Sequence, residues 1–326
     1  MMKITIIGLG AMGSIYAALF AAAGYEVIAY DPWVEHIDAI NKKGLSIESP
    51  SGTYTIKNIK SSSVFEAHKD CDLYIIATKA SGVETAAKKI SPLLGPNATV
   101  VTIQNGLGAD KEIEKHISYN HIVLGVADGF GASVKSPGHV HHNAMKLIRL
   151  GELNGKITDR LKGLTGHWEK AGFTVQAYED IQKLIWEKFL CNVTFSAPCT
   201  VFEKTVGELM DDPLAWPVAL GAMDEAYKIG TAKKINFSFN DPVQYVSKFG
   251  EKLRNARPSM FLDHLAKKRS EIMFINGIVP NLGIEVGVST PINSTLTALV
   301  LNRETQFREI ITVSYTHLRA HETTLD

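Results

Sequence analysis

"KITIIGLGAMGSIYAALFAAAGYEVIAYD", residues 3–31, decides how the first half of the chain folds. "KITIIG" is a short β-rich run, "AMGSIYAALFAAAGY" reads as an Ala-rich helix, and "EVIAYD" is a second strand. The turn between first strand and helix is Gly8-Leu9-Gly10-Ala11-Met12-Gly13, a GxGxxG. Such a pattern alone says little. Here it follows a strand, opens a helix and is answered by an acidic residue, Asp31, at the end of the next strand. That full context is a dinucleotide-binding fingerprint. Gly8 permits the tight turn, Gly10 lets the backbone approach a pyrophosphate, and Gly13 lets helix and strand pack closely. The helix N-terminus offers free N–H groups and a positive dipole end to the phosphates. A glycine-rich turn without a ligand is the blander alternative, and the strand and helix around it speak against that.

Asp31 bears on the choice of cofactor. A carboxylate there accepts hydrogen bonds from a ribose 2′-hydroxyl and repels a 2′-phosphate. "YDPW" brings no Arg or Lys to the strand end, and Lys42 and Lys43 come later, on the following helix and turn. NAD(H) is therefore expected over NADP(H).

Further strands read as "DLYIIATK", "ATVVTIQNG" and "HIVLGVADGF", with helical stretches such as "SGVETAAKKISPLL" between them. Alternating strand and helix implies a mostly parallel, doubly wound sheet. Ligands of such sheets bind beyond the strand C-termini. Lys79 and Asn105 stand at such ends and would line the crevice, although a Lys or Asn there can equally be an ordinary turn residue. "GHVHHN", residues 138–143, puts His139 and His141 on one face of a strand. No nearby carboxylate or cysteine completes a metal set, so solvated or hydrogen-bonded strand histidines and no metal are expected.

After "GFTVQAYEDIQ" helical periodicity takes over, at 180–196, 212–234, 259–283 and 291 to about 311. The domain boundary is placed near residue 178. Residues 1–178 form an α/β Rossmann-type domain, and 179–312 an all-helical domain for substrate and dimerisation. A cleft between two such domains is a common ligand site. "LIWEKFLCN", residues 184–192, sets Lys188 among core-type residues, with Asn192 one turn later and Ser196 a turn beyond. The three form a polar stripe on an apolar helix. Either Lys188 reaches out from the helix edge, or the stripe faces the cleft. Ser259 follows Pro258 at a helix start, and Glu271 precedes the apolar "IMFI" run of the same expected helix, off the stripe of Ser259.

The 326 residues carry 34 Lys and Arg against 34 Asp and Glu. That balance argues against a nucleic-acid or anionic-membrane surface. No apolar run is long enough to span a bilayer. The three cysteines, Cys71, Cys191 and Cys199, have no CxxC spacing and suggest a reducing, cytoplasmic setting. "VSYTHLRAHETTLD", residues 313–326, is polar and lacks periodicity. It looks like a non-native tail and is left out of the fold reading, His317 and His321 included.

With "GLGAMG", "TKA", "IQNGLG", "WEKFLCN", Ser259-Met260 and "SEIMFINGIVPNLG" in order, residues 2 to about 311 resemble the ketopantoate reductases (2-dehydropantoate 2-reductases). The resemblance implies roles by position. Lys188 matches the family's catalytic lysine, the general acid at the ketone oxygen. Glu271 matches the acid that helps place substrate and lysine. Asn105 matches the crevice asparagine between cofactor and substrate, and Lys79 the lysine after the strand. Asn192 and Ser259 match substrate-binding positions. Ser196 stands where some members have a second asparagine. Asp31-Pro32 stands where NADPH-using members carry a basic residue, in line with the physical reading of Asp31. The implied function is reduction of ketopantoate to pantoate, with a small 2-oxo acid as partner and a homodimer as an assembly open to the chain. The alternatives are a reductase or dehydrogenase for another 2-oxo or 2-hydroxy acid, a nucleotide-sensing module without turnover, and a scaffold.

Overall fold

The computed structural model describes residues 2–67, 70–129, 131–144 and 146–307. The chain opens with β1 (Lys3–Ile7), α1 (Ala11–Ala22), β2 (Glu26–Tyr30) and α2 (Val34–Lys43). β3 (Leu45–Ser49), β4 (Gly52–Ile56), β5 (Ile59–Ser62), β6 (Leu73–Ile76), α3 (Val83–Ile90), β7 (Thr99–Thr102) and α4 (Ala109–Glu114) follow. β8 (Ile122–Asp128), β9 (Gly131–Ser136), β10 (His139–Ala144), β11 (Leu147–Glu152), α5 (Asp159–Lys170) and β12 (Val175–Ala177) complete the sheet-bearing half.

An eight-stranded sheet runs in the order β12-β11-β8-β7-β6-β1-β2-β5. Strands β5 to β8 of that order are parallel, and β11 pairs antiparallel with β8. β1 lies between β2 and β6, so the order reverses at the C-terminal end of β1, where the glycine turn stands. The central strands are mostly apolar and buried almost throughout because both faces are covered.

A second sheet, in the order β4-β3-β10-β9, lies against α1 and was not expected. Its β4 is almost wholly exposed, so "GTYTI" lacks the apolar alternation that marks a half-buried strand. Trp168 of α5 packs edge-on to Phe20 and Tyr16 of α1, closing the core on that side.

The rest of the described chain is helical: α6 (Ile181–Phe202), α7 (Val206–Asp211), α8 (Ala215–Ala232), α9 (Pro242–Glu251), α10 (Ser259–Leu265), α11 (Val279–Val286) and α12 (Pro291–Glu304). Asp180 caps α6 by accepting the Lys183 N–H at 3.1 Å. α6 is buried on nearly all sides, with Trp186, Phe189, Leu190 and Val193 in one core with Ala219, Ala222, Met223 and Ala226 of α8. A helix apolar all round belongs in the centre of its layer.

The helix expected over 259–283 is broken. α10 ends at Leu265, Lys267 takes a left-handed φ of 53°, and two 3-10 turns (Ile272–Phe274 and Asn276–Ile278) precede α11. The break frees Glu271 from any helix face. Among the described residues, no helix is long and apolar enough to cross a membrane. The stretch 313–326 lies outside the described residues.

Candidate active site

The glycine turn is built as its spacing requires. Gly8 has φ of 101°, and a Cβ there would lie 2.7 Å from the Ala77 carbonyl carbon. A Cβ on Gly13 would lie 1.8 Å from the Gly8 oxygen, so α1 can approach β1 only through a glycine. A Cβ on Gly10 would meet nothing within 4 Å, which leaves that backbone facing open space. Gly10 is also the N-cap of α1 and supplies no side-chain cap. Its position leaves the first-turn N–H groups, over Ala11 and Met12, open to an anion.

Asp31 ties the second strand end to this turn. Its carboxylate accepts the Leu9 N–H at 2.7 Å and the Trp33 N–H at 2.9 Å. A carboxylate has about four acceptor sites, so two remain for hydroxyl groups. Lys42 and Lys43 stand in the last turn of α2, about 13 Å along the helix from its start beside Asp31. These residues fit a dinucleotide: an open cradle for a pyrophosphate, a bare helix start, and an acceptor for a ribose.

Lys79 follows β6, and its ammonium pairs with Asp263 of α10 at 2.7 Å. Glu271 accepts the Ala80 N–H at 2.8 Å. Asn105 stands half-buried in the turn between β7 and α4. The same turn is stitched to the helical half, where the Phe274 carbonyl accepts the Leu107 N–H at 3.1 Å. Gly106 has φ of 86°, and a Cβ on it would come within 2.1 Å of that Phe274 oxygen. Gln104 had no place in the sequence reading. Its amide donates to the Ile76 and Thr78 carbonyls at 3.0 and 3.1 Å, fixing the β7 turn against the β6 turn. A Gln before an Asn-Gly carries no signal for that role.

Lys188 lies on α6 where the helix passes the end of β8, and its ammonium donates to the Ala127 carbonyl at 2.9 Å. Burial pulls its proton affinity below the ordinary lysine range, and the charges of Asp128 and Glu271 oppose that pull. Asn192, one turn on, is half-buried, and Ser196 is 4% exposed in the packed part of the helix. The stripe therefore runs from a half-open end at Lys188 into the core at Ser196. Ser259 is exposed at the first position of α10.

A cleft lined by Gln104, Leu107, Gly125, Gln182 and Ile185 lies between the β7 turn, β8 and the start of α6. Lys188 is the next turn of α6 beyond it. The structure thus brings Lys79, Lys188, Glu271 and the turn that carries Asn105 to the junction of the two halves.

The strand histidines do have a carboxylate beside them, contrary to expectation. Glu48, on the neighbouring β3, lies 3.5 Å from His139 and 3.8 Å from His141. Parallel pairing of β3 with β10 brings it there, a contact distant in sequence. Among the described residues no group of three or more His, Cys, Asp and Glu is arranged to hold a metal ion.

Two family models match in tandem. Ketopantoate reductase PanE/ApbA covers residues 4–155, and Ketopantoate reductase PanE/ApbA C terminal covers 180–304. The chain belongs to the ketopantoate reductase family. As a member it is an oxidoreductase. It is similar to the 2-dehydropantoate 2-reductase of Lactococcus lactis subsp. lactis, 28% identical over 312 residues, 93% of this chain and 98% of the relative. A PanE/ApbA family ketopantoate reductase from Ralstonia eutropha has a similar structure, with TM-score 0.85, 26% identity and coverage of 93% and 99%. The ternary structure of D-mandelate dehydrogenase with NADH and anilino(oxo)acetate is similar too, with TM-score 0.85, 27% identity and coverage of 94% and 99%.

Proposed function

We propose that this ketopantoate reductase family member reduces the ketone of ketopantoate to the hydroxyl of pantoate, with NADH preferred over NADPH. One observation carries the reading: the half-buried Lys188 ammonium, held by a single backbone carbonyl at the junction of the two halves, with a weakened hold on its proton. When bound, a reduced nicotinamide would supply the hydride to the ketone carbon. The chain must then stabilise the charge that develops on the ketone oxygen and protonate it. An ammonium with one of its three N–H groups spent on Ala127 can donate the others to that oxygen. Its lowered proton affinity makes the transfer easier near neutral pH.

Glu271 and Asn105 support the same reaction by position. Glu271 spends one oxygen on the Ala80 N–H and keeps its charge in reach of Lys188. Asn105 and Asn192 present amides to the carboxylate or hydroxyl of a small polar substrate, and Ser259 offers a hydroxyl at a helix start. Lys79, paired with Asp263 across the junction, would help close the cleft over the cofactor. The chain divides near residue 178 into the nucleotide-binding half and the substrate half. Its three free, buried cysteines suit the reducing cytoplasm.

A second reading has its own support. The similar D-mandelate dehydrogenase is seen with NADH and anilino(oxo)acetate, a bulkier 2-oxo acid. On that reading the same residues serve an aryl or branched 2-hydroxy acid. Initial rates of NADH and NADPH loss with ketopantoate and with phenylglyoxylate separate the two. Fast NADH loss with ketopantoate supports the proposal, and turnover confined to phenylglyoxylate replaces it with the second reading. Faster use of NADPH overturns the cofactor preference.

A further inference from the structure

Asp128 is the last residue of β8, and Arg149 lies on the neighbouring β11. Arg149 stands opposite Val126 in the antiparallel register, so its side chain and that of Asp128 are diagonal neighbours on one sheet face. The Arg149 guanidinium is hydrogen-bonded to the Asp128 carboxylate. Lys188 holds the carbonyl of Ala127, the residue immediately before Asp128. Among the described residues it makes no ion pair, although a carboxylate stands one residue from its anchor.

We propose that the Asp128 and Arg149 pair positions Lys188: the guanidinium holds the carboxylate aside, so the ammonium stays on Ala127 and faces the substrate. This rests on Lys188 as the proton donor in the proposed reaction. The physical need is plain. Opposite charges in a half-buried site attract strongly. A free Asp128 carboxylate would draw the Lys188 ammonium into an ion pair, spend its N–H groups and raise its proton affinity. Arginine suits the task because it keeps its charge at every working pH and grips a carboxylate through a planar fork.

The other groups around Lys188 are already engaged or neutral. Glu271 takes the Ala80 N–H, and Glu187, on the same helix, takes the Ser238 N–H at 2.7 Å. Burial pushes the Cys191 thiol up to about 12, so it carries no charge. Burial also raises Tyr245 of α9, which stays a neutral phenol. From α10, Asp263 is held by Lys79 and His264 meets Glu304 of α12. Glu225 of α8 is bound to Asn293. Of the two carboxylates whose charge bears on Lys188, Asp128 and Glu271, Asp128 is the one held by a cation that can be removed.

The test is the pH profile of kcat/KM for ketopantoate reduction, measured with Arg149→Gln, Arg149→Lys, Asp128→Asn and the double variant Asp128→Asn/Arg149→Gln. Arg149→Gln is expected to move the alkaline limb to higher pH by about half a unit or more and to lower kcat several-fold, with NADH affinity unchanged. Asp128→Asn is expected to move the limb to lower pH. Arg149→Lys and the double variant should lie near the parent enzyme. Limbs that coincide with the parent, or move the same way in both single variants, overturn the inference. If Arg149→Gln does not fold, the near-isosteric Asp128→Asn decides by the direction of its limb. Lys188→Met serves as control: if it is silent while the limbs stay put, only this inference fails. If it turns over at the parent rate, the reading of Lys188 fails and takes the inference with it.

Discussion

Lys188 shows how one side chain can be useful because its site suits it poorly. Burial disfavours its charged form more than the nearby carboxylates favour it. If Lys188 is the proton donor, it must carry its proton for reduction, so kcat/KM is expected to fall as pH rises through the lowered value. The reverse oxidation should gain over the same range, and rate profiles in both directions check this. The unfolded chain binds the lysine proton more tightly, so the contribution of Lys188 to stability improves as pH rises between the folded and unfolded values. Asp31 makes a second test at this scale. Asp31→Asn keeps the shape and removes the charge that repels a 2′-phosphate. It should raise the NADPH to NADH ratio of kcat/KM by about tenfold. An unchanged ratio would place cofactor choice elsewhere.

At the scale of elements, most of the first half could be read from spacing. The β1 turn and α1 announce themselves because each glycine of 8–13 answers a local demand, and local demands leave a mark in sequence. Gly13→Ala tests this directly. Its Cβ would fall 1.8 Å from the Gly8 oxygen. The variant should lose nucleotide binding by about tenfold or more and melt several degrees lower, measured by NADH titration and thermal unfolding. What escaped reading was set by distant contacts. β4 is exposed and polar, and it is a strand because β3 pairs with it. The break after Leu265 falls in a stretch whose apolar residues continue at helical spacing. There Glu304 accepts the Ser270 N–H at 2.8 Å, a contact between residues 34 apart in sequence.

Across the whole molecule, the contacts that join the two halves near the strand ends include these three: Lys79 with Asp263, the Ala80 N–H with Glu271, and the Leu107 N–H with the Phe274 carbonyl. The sequence pointed to Lys79 and Glu271 as site residues but not to these partners. Two of the three contacts use backbone groups, which any residue supplies. Glu271 therefore bridges the halves as well as facing Lys188. Glu271→Ala should raise KM for the 2-oxo acid and lower stability by about 1–3 kcal/mol, because the Ala80 N–H loses its acceptor. Glu271→Gln, which keeps an acceptor oxygen, should recover the stability and only part of the rate. Equal loss of rate and stability in both variants would mean the charge at 271 governs the junction as well. In either case the cleft that holds Lys188 depends on the two halves staying closed.

The measurement that tests the account most directly is kcat/KM for ketopantoate with NADH in Lys188→Met, with NADH affinity measured on the same protein. Methionine keeps most of the side-chain volume and removes the ammonium. The account predicts a loss of about a hundredfold or more in kcat/KM, with NADH affinity unchanged and a melting temperature no lower than the parent. Reduction at the parent rate would contradict it, and would move the proton donor to another residue of the cleft.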